Sequence, residues 1–119
     1  MRISVIHFAT LALCACNGHE AVTIPLDQTT GFRDGYRVEV TRSGNVEWNG
    51  DKINDATFEF YMREYAGKPK GAGRLWVEFE PGVPSARASD VRQQIIASGL
   101  CEQKRCVEGR WGAPRPVIN

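Results

Sequence analysis

The sequence predicts an α+β domain, a two-layer sandwich in which one mixed sheet carries two helices on one face, in the order β-β-α-β-α-β. Three observations lead there. Residues 36–40, 46–48 and 75–80 alternate between two faces with period two. Apolar residues spaced three and four apart mark two intervening stretches, 58–65 and 88–96. The chain has 119 residues, 42% hydrophobic and 24% charged, which is enough for one such domain and short for two.

Tyr36-Arg37-Val38-Glu39-Val40 alternates, Arg42-Ser43-Gly44-Asn45 turns, and Val46-Glu47-Trp48 alternates again before Asn49-Gly50, which together make a hairpin. Asn54 and Asp55 are N-cap candidates for a first helix. Its apolar face is Phe58, Tyr61, Met62 and Tyr65, and Gly67 and Pro69 end it. The basic, glycine-rich stretch 67–74 has neither the spacing of a phosphate loop nor the strand-loop-helix order such a loop needs, so it reads as a solvated connector.

Residues 75–80 form the clearest strand. Leu75, Val77 and Phe79 share the core face, whereas Trp76, Glu78 and Glu80 share the other, expected to be wet or to cover a partner. After a turn through Pro81 and Pro84, Ala88, Val91 and Ile95, with Ile96 at the margin, mark a second helix stopped by Gly99. Arg105–Glu108 supplies a last short strand. Pro114 and Pro116 cannot donate to a ladder, so the tail from 110 to 119 does not extend it.

The N-terminus has a different character. Arg2 is followed by an apolar run from Ile3 to Leu13, then by small residues around Cys14 and Cys16, which is the order of an export signal. That run is about half of the ~20 residues a spanning helix needs. Lys plus Arg number 15 and Asp plus Glu 14; without residues 1–15, which hold Arg2 and no acid, the balance is 14 to 14. A neutral domain has no electrostatic footprint for nucleic acid.

Leu13-Cys14-Ala15-Cys16 resembles the lipobox of bacterial lipoproteins, a branched apolar residue three before a cysteine and a small residue just before it. The resemblance implies a signal peptide over 1–15, Cys16 as the lipidated first residue and a tether over 16–35. The alternatives are cleavage by the ordinary signal peptidase or retention of the segment as a helix. Under the lipoprotein reading only Cys101 and Cys106 remain. An even pair in an oxidising compartment reads as a disulfide, worth roughly 2 kcal/mol for so short a loop.

The element order, with the stretch WVEFEPGVPSARASDVRQQIIASG, resembles the periplasmic domain of the ExbD/TolR family of biopolymer-transport proteins over about residues 36–109. Asn49 and Gly50 match the hairpin end, Glu80 the acidic position after the strand, Val83 and Pro84 the turn, Val91 and Ile95 the helix core, and Gly99 its end. The resemblance implies a small domain that binds envelope partners, often as a homodimer, with peptidoglycan a further ligand from the TolR branch. The departures are informative. Family members carry a transmembrane helix with a buried aspartate, and no acid precedes Glu20 here, so a proton-carrying role does not transfer. Ser85 stands where an aromatic residue is common, and the Cys101/Cys106 pair is extra.

No catalytic set is apparent. His7 and His19 are the only histidines and precede the domain, which removes Ser-His-Asp and Cys-His schemes. Cys101 and Cys106 lack two further ligands at zinc spacing, so no metal or other cofactor is expected. Glu78 and Glu80 share a strand face as a glycosidase pair would, but such an i, i+2 pair reads first as solvation. Trp48, Trp76 and Trp111 are interface candidates, because tryptophan buries large area around a polar tip.

The expected function is therefore that of a non-enzymatic, membrane-anchored envelope lipoprotein that binds a protein partner or itself. Trp76, Glu78 and Glu80 are its contact candidates, and Asn17 after the lipidated cysteine leans towards the outer membrane. Two alternatives stand beside it: a periplasmic protein that binds or cleaves peptidoglycan, and a secreted, disulfide-clipped enzyme inhibitor.

Overall fold

Five strands and two helices follow one another as β1 (Gly35–Val40), β2 (Val46–Trp48), β3 (Asp51–Ile53), α1 (Asp55–Ala66), β4 (Arg74–Phe79), α2 (Ser85–Ala97) and β5 (Cys106–Glu108). The computed structural model describes residues 22–27 and 35–112. The expected signal over 1–15, Cys16, most of the expected tether and the tail from 113 lie outside the described residues.

The sheet is mixed, in the order β3-β2-β1-β4-β5. β1 pairs antiparallel with β2 and β2 with β3, whereas β1–β4 and β4–β5 are parallel, each parallel step spanned by a helix. Register puts Val38 and Val40 beside Val77 and Phe79, and Leu75 beside Cys106, on a single face. Phe58, Met62 and Tyr65 from α1 and Val91 and Ile95 from α2 close over that face, forming a core with Val38, Val40, Val46, Leu75, Val77 and Leu100. The α+β two-layer arrangement is thus the one the periodicity predicts, with one added strand.

The added strand is β3. Trp48 pairs with Asp51 across Asn49-Gly50, and both turn residues have positive φ, 49° and 91°. This is the two-residue turn that Asn-Gly favours. It continues the hairpin into a third strand rather than ending it.

Both helix ends behave as the sequence indicates. Asn54 caps α1, its side-chain oxygen accepting the Thr57 N–H at 2.8 Å. Gly99 follows α2 with φ of 89°, a conformation that glycine reaches without a Cβ clash. The connector differs from expectation. Residues 70–72 form a 3-10 turn, Ala72 packs on the core, and Gly73 is buried.

Part of the expected tether joins the sheet. Glu108 donates its N–H to Pro25 and accepts from Asp27, both at 2.8 Å, so that Leu26 bridges in parallel to β5. Pro25 lacks an N–H, but its carbonyl still serves an edge.

The second face of the sheet corrects an expectation. Trp76 and Glu78 are 2% and 0% exposed, and Val107, beside Trp76 on β5, is 4% exposed. The second face of β4 is thus covered at Trp76 and Glu78; alternation reveals which residues share a face but not whether that face is covered.

Cys101 and Cys106 form a disulfide with Cα atoms 4.8 Å apart, joining the turn after α2 to the start of β5. The Cys101→Ser/Cys106→Ser double variant is expected to lose roughly 2 kcal/mol, read as a lower urea midpoint with an unchanged slope.

Arg87 ties three elements together. Its guanidinium donates to Asp55 at 2.6 and 3.0 Å, to Asp90 at 2.9 Å and to the Gly44 carbonyl at 2.9 Å. The hydrogen bond from Arg87 holds the Asp55 carboxyl below its ordinary pKa, and the same pair raises Arg87. A depressed carboxyl stabilises the fold above its unfolded pKa of about 3.9 and loses that contribution as pH falls through the lower folded value. Asp55→Asn should therefore flatten the acid limb of stability below about pH 4. The effect is bounded near 1 kcal/mol, because the Asp55 side chain is 53% exposed.

Candidate binding groove

At one end of the helix face, the start of β1, the end of β2 and the last turns of α1 enclose an open groove of about 480 Å³. Its floor is aromatic. Tyr36 and Trp48 project from neighbouring strands with ring centroids 5.2 Å apart, and Tyr65 meets Tyr36 edge-on at 4.7 Å. Trp48 also contacts Tyr61 at 5.3 Å. Such tilted and edge-on contacts suit rings whose faces are negative and whose edges are positive.

The floor is fixed from beneath. Tyr65 is buried and its hydroxyl donates to the Ala72 carbonyl at 2.9 Å, while the Arg105 guanidinium lies 4.7 Å from its ring. Asn49 closes one wall, accepting the Arg37 N–H at 2.8 Å through its side chain and donating its own N–H to the Arg37 carbonyl. The rim is charged, with Asp51 and Glu64 as acids and Lys68 placed 5.8 Å over the Tyr36 ring. Phe60 and Tyr61 remain 51% and 37% exposed. They are two of the four large apolar side chains that are exposed among the described residues, and the fold does not need their outer faces buried.

The predicted contact residues fall elsewhere. Trp76 lies under the Arg74 guanidinium at 4.7 Å and Glu78 is fully buried, so neither is presented to a partner. Glu80 accepts the Arg42 N–H at 3.0 Å and its own N–H donates to Val40, which fastens the exit of β4 to the β1–β2 turn. The expected Trp76/Glu78/Glu80 surface is therefore structural, and the Glu78/Glu80 acid/base pair has a buried member and a bonded one.

Of the interface tryptophans, Trp48 is in the groove, Trp76 is buried and Trp111 is half-buried. Tyr61 was legible as helix-face apolar and proves to lie on the shoulder of that face. Phe60 left one signal, an aromatic off the apolar stripe of its own helix.

The described residues contain no group of three or more His, Cys, Asp or Glu side chains placed to hold a metal ion, and no helix long and apolar enough to cross a membrane. What the groove can do chemically is stack and solvate: it offers ring faces, two carboxylates, an amide and an ammonium. No family model, curated protein or solved structure matches the chain.

Proposed function

We propose that the chain is a non-enzymatic envelope lipoprotein, anchored through Cys16, whose ExbD/TolR-like domain binds a protein partner or a second copy of itself. The observation that carries the reading is where the resembling residues fall. Asn49-Gly50 makes the turn between β2 and β3, Glu80 follows β4, Val83-Pro84 leads into α2, Val91 and Ile95 are its buried face, and Gly99 follows its end. Four of these positions lie where the resemblance expects them, and the Asn49-Gly50 turn departs from it by leading into β3. The lipobox-like end and the Cys101–Cys106 disulfide agree with an oxidising envelope compartment.

The surface offered for binding is the groove rather than the β4 face. Lysine-directed crosslinking in intact cells should recover a dimer or one recurrent envelope partner; recovery of neither contradicts the reading.

The groove also favours a second reading, in which peptidoglycan sugars stack on Trp48 and Tyr61 with Asp51 and Glu64 accepting from hydroxyls. Co-sedimentation with purified sacculi that is lost in Tyr61→Ala would support it, and failure to co-sediment would remove it.

A further inference from the structure

We propose that the aromatic groove receives the C-terminal tail, residues 113–119, of a second copy of this chain, with Arg115 set between Asp51 and Glu64. This deepens the self-association reading above and rests on it.

The groove has the composition that extended proline segments dock into. Such segments enter already ordered, because proline fixes φ and a polyproline backbone makes no internal hydrogen bonds; aromatic ring faces then supply the contact area. Trp48, Tyr61 and Phe60 offer those faces side by side.

The rim adds charge selectivity. Asp51 and Glu64 are exposed, and neither takes part in an ion pair among the described residues. An arginine flanked by prolines is the complement of two carboxylates beside ring faces, since its planar fork bonds to carboxylate and stacks on aromatics.

The sequence holds one such segment, Pro114-Arg115-Pro116, seated in the tail. That segment follows β5, across the sheet from the groove. β1, β4 and β5 are parallel, and the groove lies at the start of β1, where Tyr36 is level with Leu75 and Cys106. The chain leaves β5 at the opposite end, the Gly109 N–H donating to the Val77 carbonyl, and two strands across from β1. The tail therefore begins two strands away from the start of its own groove. Reciprocal exchange between two copies satisfies both grooves and closes the assembly as a two-fold dimer.

The test uses the full chain in cells with a benzophenone-bearing phenylalanine analogue at position 60. Irradiation should give a covalent dimer whose crosslinked peptide joins position 60 to residues 113–119. Arg115→Glu should lower that yield about tenfold, as expected for the loss of one well-placed charge pair. Adding Asp51→Arg and Glu64→Arg to Arg115→Glu should restore it.

Attachment of position 60 to its own tail, to another protein, to glycan or to nothing overturns the proposal, as does an adduct indifferent to Arg115→Glu. A lysine-crosslinked dimer that persists without the position 60 adduct would overturn the groove assignment while leaving self-association standing.

Discussion

Gly35→Ala is expected to destabilise the domain by roughly 3–4 kcal/mol, a large part of the 5–15 kcal/mol typical of a domain. Two costs add. Gly35 has φ of 98°, which side-chain-bearing residues rarely adopt. A Cβ there would also fall onto the Arg74 carbonyl oxygen and within 2.6 Å of the Tyr65 hydroxyl. Neither neighbour can yield. Arg74 is the residue paired with Gly35 where β1 and β4 begin, and the Tyr65 hydroxyl is bonded to Ala72 at 2.9 Å.

Gly50→Ala is the control. Its φ is 91°, but nothing lies within 4 Å of the added carbon, so it should cost only the conformational part, about 1 kcal/mol. Urea midpoints of the two variants measure the difference, and equal midpoints would mean that β1 and β4 do not start in this register.

Arg105→Ala should cost about 3 kcal/mol or more. Arg105 is 3% exposed, and its guanidinium donates to the carbonyls of Gly73 and Lys68 and to the Gln103 side chain, each at 3.0 Å, and to the Tyr65 carbonyl at 3.3 Å. Three of these oxygens are main-chain groups at the end of α1 and in the connector after it, where the helix dipole is negative and a cation is favoured. Truncation would leave them buried without their donor. Arg105→Lys keeps the charge but not the fork, so it should recover less than half of the loss. Amide exchange should quicken first in residues 65–73, because Arg105 holds that segment under the groove floor. Unchanged exchange there would show that the connector is held by something else.

The sequence revealed the elements that repeat a period over several residues. Phe58, Met62 and Tyr65, or Val91 and Ile95, announce a buried face because four-residue spacing has few other causes. β3 was hidden because Asp51-Lys52-Ile53 has a single apolar residue, too few to show alternation. The Asn-Gly turn ahead of it was the available sign. The burial of Trp76 and Glu78 was hidden for a different reason: whether a sheet face is covered is a long-range property that no local pattern encodes.

The groove follows the same logic. Trp48 could be singled out as an interface candidate, yet its meeting with Tyr36, Tyr61 and Tyr65 joins three elements far apart in sequence. Arg105 gave no sign either, since one arginine in a short strand reads as surface charge until its four oxygen partners are brought together by the fold.

Export and anchoring through Cys16 are central to the proposed function, because the compartment and the class of partner follow from them. The intact mass of the protein from the membrane fraction, with and without reduction and thiol alkylation, tests this directly. The predicted result is a chain beginning at Cys16 with the added mass of a diacylglycerol thioether and an N-acyl group, and two thiols that appear only after reduction. An unprocessed chain with four free thiols would contradict it.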